Sequence, residues 1–288
     1  MILVTGATGN VGRNLVRELL DAGEAVRALT RDPAAAALPE GVETVPGDLA
    51  RPETLPAALR GVDRAFLFPV HGALDGFLTA AKEAGTAHIV LLSSDSVTFP
   101  EPGWIGEKHL ACERAVADSG IPHSFVRPSI FMANDLGWAH QLGHGGIVRG
   151  AYGRAAMAPV DERDIAAVAA YALRAPRPGA TYELTGPQAL TQIERVRIIG
   201  ETLGLPARFE EVPRADVRAK LIGHLPPPAA DFLLDQLAAA EQTPVPVLPT
   251  VEQVTGRPAH TYAEWVAHHA ADFGGGQRSA PRVHFSGV

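Results

Sequence analysis

The sequence predicts an α/β fold: a doubly wound parallel sheet followed by a smaller, mostly α C-terminal lobe. Three observations carry that expectation. Short apolar, β-branched runs alternate with helical patterns through the first half of the chain. A turn containing three glycines joins the first apolar run to the first helical pattern. The second half loses the alternation and becomes mainly helical, punctuated by proline-rich stretches. Strand, helix, strand in that order with short connections calls for parallel pairing, right-handed crossovers and helices on both faces.

Residues 2–5 read as the first strand. Residues 10–22 follow as a helix, with Val11, Leu15, Val16, Leu19 and Leu20 at helical spacing and Gly23 as its stop. Strands are expected over 25–29, before the breaker Asp32-Pro33, and over 42–46. A short helix at 55–59 leads to a strand at 64–68, a helix at 74–84 and a strand at 89–92. A helix over 105–119 and a strand over 124–127 complete the series.

Beyond Pro128 the pattern weakens, and residues 131–151 read as an irregular excursion from the sheet. A helix at 161–173 and a strand at 181–184 return to it. Helices are then expected at 193–203, 214–222, 229–240 and 262–272, a lobe lying over the carboxyl edge of the sheet. The expected division is a dinucleotide-binding domain over 1–186, with 129–158 contributing to the substrate cleft, and a small substrate lobe over 187–273. The glycine-rich, polar tail, 274–288, is expected to be loosely held.

Composition narrows the function classes. At 288 residues with 46% hydrophobic content, the chain can bury a full core. Its net charge of −7 is dispersed and includes no basic block, which argues against nucleic acid. The single cysteine, Cys112, permits no intramolecular disulfide and suits a reducing compartment. The first residues already read as a strand, leaving no room for a signal segment, and no apolar run is long enough to span a bilayer. The expectation is a cytoplasmic protein whose partner is a small molecule, with no nucleic acid and no membrane, and with a homo-oligomer left open.

The chemistry begins at Thr5-Gly6-Ala7-Thr8-Gly9-Asn10-Val11-Gly12. Gly6 permits a tight turn, Gly9 lets the backbone approach a pyrophosphate, and Gly12 lets the helix pack closely on the strand. The free N–H groups and dipole of the helix beginning at Asn10 attract the anion. Placed between the first strand and first helix of an alternating series, this is the phosphate turn of a Rossmann sheet. No carboxylate ends the second strand to accept from a ribose 2′-hydroxyl. Leu29-Thr30-Arg31 stands there, and the fork of Arg31 matches a 2′-phosphate. The expected cofactor is therefore NADP(H), with NAD(H) the alternative and Asp32 the discordant neighbour. Asp48 and Leu49, after the third strand, are placed beside the adenine.

With these motifs in view, the sequence resembles the atypical short-chain dehydrogenase/reductases of the NmrA-like group, which includes NAD(P)H:quinone oxidoreductases and NADP-sensing regulators. The opening Val4-Thr5-Gly6-Ala7-Thr8-Gly9 is shared with many reductases. More specific are Leu92-Ser93-Ser94, Ser119-Gly120-Ile121-Pro122 leading to Arg127-Pro128, and Val160-Asp161-Glu162-Arg163-Asp164-Ile165-Ala166. Leu184-Thr185-Gly186-Pro187 and Val254-Thr255-Gly256-Arg257-Pro258, then Tyr262-Ala263-Glu264-Trp265, extend the likeness to about residue 273. The resemblance implies a catalytic Ser at Ser94 and, on the following helix, the Lys of a Tyr-x-x-x-Lys pair at Lys108, where it would hold the nicotinamide ribose. The tyrosine's position is Trp104, so the usual proton donor is missing.

Reduction of a ketone creates an alkoxide that needs a positioned acid. Reduction of a quinone creates a phenoxide-like anion with a conjugate acid near pKa ~10, which water can protonate. The missing tyrosine therefore favours a quinone-like or conjugated carbonyl acceptor. Catalytic candidates are Lys108, Ser94 and His109, the last as a substitute acid. His109 and Glu113 also fit a plain helix-surface pair four residues apart, the reading favoured here, and Lys108 also fits a solvated lysine. The nicotinamide is placed near Phe68 and Pro69. Trp104, Phe131, Met132, Asn134 and Trp138 are candidates for the substrate pocket, although a core cluster explains Phe131 and Met132 almost as well. His140 and His144 lack a third ligand, so no metal is expected. His268 and His269 read as helix surface, and Cys112 as packing. The expected function is an NAD(P)H-dependent oxidoreductase. The alternative is a non-enzymatic NADP(H)-binding redox sensor; sugar-nucleotide epimerisation fits less well because it leans on the tyrosine.

Overall fold

The computed structural model describes residues 1–274. The expected loosely held tail falls, apart from Gly274, outside the described residues. The sheet half of the chain runs β1 (Ile2–Val4), α1 (Asn10–Asp21), β2 (Val26–Thr30), β3 (Glu43–Pro46), α2 (Leu55–Leu59) and β4 (Arg64–Leu67). It continues through α3 (Leu74–Glu83), β5 (His88–Leu92), α4 (Gly103–Asp118) and β6 (His123–Pro128). A 3₁₀ stretch (Met132–Trp138), α5 (Ala139–Gly143), β7 (Ile147–Gly150) and β8 (Ala156–Met157) follow, and then α6 (Glu162–Arg174) and β9 (Thr181–Leu184). The remainder is β10 (Leu190–Thr191), α7 (Gln192–Leu203), β11 (Arg208–Glu211), α8 (Arg214–Leu221), α9 (Pro227–Gln242), α10 (Thr250–Thr255), α11 (Tyr262–His268) and α12 (Ala270–Gly274).

Seven strands form one parallel sheet in the order β3-β2-β1-β4-β5-β6-β9. The order reverses between β1 and β4, and ligands of open α/β sheets sit at the carboxyl ends of strands flanking such a reversal. Alternation along each strand divides the core. Ile2, Val4, Ala28, Phe66, Val90 and Val126 face α1 and α6. Leu3, Leu29, Ala65, Leu67, Ile89 and Leu91 face the layer of α2, α3 and α4. These strands are buried on both faces, as parallel strands require. Asp161 caps α6 by accepting from the Arg163 N–H at 2.8 Å. Thr191 with Glu194 and Thr261 with Glu264 form capping boxes at the starts of α7 and α11.

The second half departs from the sequence expectation in three ways. The excursion after β6 is ordered: β7 pairs in parallel with β11, and β8 pairs antiparallel with β10, so the lobe carries two small sheets beside its helices. Neither strand of the first pair can bury a face without the other, and their separation along the chain hides the pairing. The helix expected over 262–272 breaks at His269, whose ring ion-pairs with Glu162 at 2.8 Å and Asp272 at 2.8 Å. His269 is thus a tether between helices rather than helix surface. Finally, α10 packs on α6 and α11 on α7, so the last described helices return to a helical layer; α9 packs on α4 and β8. Among the described residues, no helix is long and apolar enough to cross a membrane.

Candidate functional site

The turn after β1 opens at the switch point. Gly6 has φ +62, and a Cβ there would press on the Phe68 side chain at 3.0 Å. A Cβ on Gly12 would fall 2.1 Å from the Gly6 carbonyl oxygen, so close approach of α1 to the loop demands glycine. Gly9 differs. Its φ of −81 suits any residue, and an added Cβ would meet only the Gly6 carbonyl oxygen, at 3.3 Å. The fold's own demand for glycine is thus weaker there than at Gly12, a tight contact rather than an overlap. Thr5, Ala7, Val11 and Gly12 are buried, whereas Gly6, Thr8 and Asn10 are exposed at the amino end of α1. The Thr5 hydroxyl donates to the Phe66 carbonyl at 3.1 Å and accepts from the Phe68 N–H at 2.7 Å, fixing the turn against the end of β4. Phe68 and Pro69 continue from that end. The cradle fits a dinucleotide diphosphate.

Arg31 is exposed just past β2. The discordant Asp32 turns into its own loop, where its Oδ1 accepts from the N–H groups of Ala34 at 3.1 Å and Ala35 at 3.2 Å. Arg13, overlooked in the sequence, lies beside the same loop. Its guanidinium donates to the carbonyls of Ala37 and Thr8, each at 3.4 Å, linking α1 to the segment after β2. Its signal was present: it directly follows the third glycine. Asp48 accepts from the Ala50 N–H at 3.0 Å, and Leu49 is buried below it.

A cavity of about 860 Å³ opens beyond β5, β6 and β9. Ser94, Phe131, Asn134 and Trp138, all expected at the site, line it. Met132 is 1% exposed within the core. Other walls come from Phe99, Ile105 and Thr185, and from Phe232 and Leu237 on α9, which no motif announced. Asp95, directly after Ser94, also lines the cavity; burial raises its carboxyl to about 7 against the opposing hydrogen bonds from Ser94 and Ser96.

The Lys108 ammonium lies 5.4 Å from the Trp104 ring centroid, a cation–π pair. Ile105, rather than Trp104 or Lys108, is among the cavity's lining residues. The expected surface pair of His109 and Glu113 is corrected outright: His109 is 1% and Glu113 6% exposed. Both Glu113 oxygens are taken by Arg127, at 2.8 and 2.7 Å, because a planar guanidinium matches a carboxylate in two places at once. His109 packs edge-on against His71 at 5.5 Å. Cys112 is buried, and its thiol, 3.3 Å from His71 Nδ1, is pushed up by burial to about 11. His140 and His144 stack at 4.2 Å, and no cluster among the described residues is arranged to hold a metal.

The cavity floor rests on buried charge. Arg195, 1% exposed, donates to both oxygens of Asp135 at 2.8 and 2.7 Å and lies 5.0 Å from the Trp138 ring centroid. The Tyr262 hydroxyl donates to the same carboxylate at 2.6 Å. Three distant segments thereby meet on one anion, which burial pushes up in pKa while Arg195 and Tyr262 hold it down.

Comparison with known proteins agrees with this geometry. Residues 1–256 match the model of the NmrA-like family. The chain belongs to the NmrA-like family. It is 42% identical over 281 residues to a (4-alkanoyl-5-oxo-2,5-dihydrofuran-3-yl)methyl phosphate reductase of Streptomyces griseus, covering 95% of this chain and 99% of that one. It is 38% identical over 288 residues to an NAD(P)H azoreductase of Xenophilus azovorans, at 95% and 99% coverage. In structure it is similar to an NADPH-dependent quinone oxidoreductase of Escherichia coli solved with NADPH, with TM-score 0.79, 28% identity and coverage of 93% and 99%.

Proposed function

We propose that this protein is an NADP(H)-dependent oxidoreductase that passes a hydride to a flat, conjugated acceptor: a quinone or an α,β-unsaturated carbonyl compound. The observation that carries this reading is the placing of two features on one carboxyl edge of the sheet. The glycine cradle follows β1, and the largely aromatic and aliphatic cavity follows β5 and β6. The named relatives act on a dihydrofuranone phosphate, azo compounds and quinones, and conjugation is common to all three.

In this reading the Gly6–Asn10 turn and the amino end of α1 hold the diphosphate, Arg31 and Arg13 take the 2′-phosphate, and Phe68 with Pro69 borders the nicotinamide. The reduced nicotinamide supplies a hydride when bound. Phe99, Phe131 and Trp138 enclose a planar acceptor, and the Asn134 amide orients its carbonyl. Trp104 stands where classical reductases carry their tyrosine, and Lys108 lies against it, so a simple ketone lacks its usual acid. The same substitution favours the second reading, a sensor that binds NADP(H) without turnover.

Optical measurement of NADPH oxidation with quinones, butenolide-type enones, azo compounds and simple ketones tests the assignment. Consumption with conjugated acceptors and little with simple ketones is the expected result. Tight NADPH binding without consumption by any acceptor identifies the sensor, and absence of affinity for either pyridine nucleotide overturns both readings.

A further inference from the structure

Asp95 has a position and surroundings that its neighbours do not explain. It follows Ser94 at the carboxyl end of β5, opens the 3₁₀ turn Asp95–Thr98 and lines the cavity. Its carboxyl receives the Ser94 hydroxyl at 3.4 Å, while the Ser94 oxygen itself accepts from the Ser96 N–H at 3.3 Å and hydroxyl at 2.9 Å. The cations that line the cavity, Arg149 and Arg195, and Arg127 and Lys108 on the adjoining β6 and α4, are engaged by other groups. Arg127 is paired with Glu113 and Glu183, Arg195 with Asp135, and Arg149 with Glu210, while Lys108 lies over Trp104. The remaining charged group acting on it, Glu183 on β9, is another anion. An aspartate that shares a cavity wall with Phe99 and Ile105 and has no ion-pair partner among the described residues is better held neutral. Burial, aided by Glu183, raises its carboxyl to about 7, where an acid is poised for transfer near neutral pH.

We propose that Asp95 is the proton donor of this site, delivering the proton on its carboxyl to the acceptor and recovering it from water through the cavity mouth. The proposal rests on the reductase reading. NADPH, the reductant, supplies two electrons and one hydrogen as hydride. In a conjugated carbonyl compound a new C–H bond forms at the β-carbon, the C=C π bond breaks, and its electrons move toward the carbonyl oxygen. The Asp95 O–H bond then breaks as its proton joins the acceptor at oxygen or the α-carbon. Acceptor, NADPH and one proton become reduced acceptor and NADP⁺. Ser94 is the positioning residue that fixes the carboxyl.

Asp95→Asn and Asp95→Glu test this in the full-length protein. With an enone acceptor, Asp95→Asn is expected to lower kcat about 10²- to 10⁴-fold with NADPH affinity unchanged. Wild-type kcat falls as pH rises past about 7, and Asp95→Glu restores part of the rate with a displaced profile. A readout independent of turnover is thermal stability. The raised carboxyl binds its proton in the folded state between 3.8 and about 7, so wild type loses stability as pH rises through that window. Asp95→Asn removes this dependence and is the more stable protein above it. A neutral carboxyl also gives an infrared carbonyl band that titrates near 7 and is absent from Asp95→Asn. Unchanged kcat and pH profile in Asp95→Asn, with wild type active, overturn the donor role and leave the reductase reading intact. Wild type that binds NADPH and reduces nothing overturns both, and a carboxyl titrating near its ordinary value overturns the held proton itself.

Discussion

Glycines in one turn answer to different causes, and substitution separates them. Gly12→Ala drives a Cβ to 2.1 Å from a backbone carbonyl, so the loop and α1 must part. The expected cost is about 1–3 kcal/mol, read by chemical denaturation. Gly9→Ala meets only one atom, at 3.3 Å, and is expected to lose much less stability than Gly12→Ala while losing NADPH affinity, as calorimetry would show. Equal stability losses in both variants would contradict a ligand-imposed glycine at position 9. If Arg31 holds the 2′-phosphate as proposed, Arg31→Ala loses a charge-assisted contact of about 1.5–3 kcal/mol, a factor of about 10–100 in affinity for NADPH. Affinity for NADH should hardly move, and parallel losses for both nucleotides would transfer the role to Arg13 or another group. The turn residues were legible because their requirements are local: a positive φ at Gly6, an approach distance at Gly12, a helix start at Asn10. Asp95 was not, because nothing in its neighbours along the chain reveals which cations are already engaged.

At the scale of elements, the final helices are held to α6 through Glu162. Its carboxylate accepts from the Trp265 indole at 3.2 Å and pairs with His269 at 2.8 Å. Burial lowers the His269 pKa, but the carboxylates of Glu162 and Asp272 outweigh it and raise the folded value above 6.5. A raised histidine contributes stability that is present below its unfolded pKa and lost as pH rises through the folded one. Hydrogen-exchange protection over 262–274 is therefore expected to weaken as pH rises above 6.5 and through the raised folded value. Glu162→Gln should flatten that dependence; protection indifferent to pH in both proteins would remove His269 as the tether. The break at His269 escaped the sequence because the apolar spacing of Tyr262, Trp265, Val266 and Phe273 runs through it. Only a partner on another helix turns the chain there.

For the whole molecule, the decisive junction is the carboxylate of Asp135. It joins the stretch after β6 to α7 through Arg195 and to α11 through Tyr262, beneath the cavity floor. Asp135→Ala strands a buried guanidinium, and the expected loss is about 3–5 kcal/mol. The double replacement Asp135→Leu with Arg195→Met removes both charges and should be considerably milder than the single change. A single change within about 1 kcal/mol of wild type by denaturation would show that water already reaches the pair.

Periodicity and turn chemistry alone determined the parallel sheet, its helical cover and the phosphate turn, because each depends on neighbours within a few residues. That Trp104 takes the place of a tyrosine and Lys108 that of its lysine is what the family resemblance implies, four residues apart on one helix. Tertiary structure decided what the site contains. It alone put Phe232 and Leu237 of α9 into the cavity wall, paired β7 with β11, gave Glu113 to Arg127 instead of His109, and left Asp95 facing a cavity while Arg195 is taken by Asp135. The physical reason is that burial and charge pairing are set by residues far apart in the chain, and a side chain's protonation follows from what surrounds it in space.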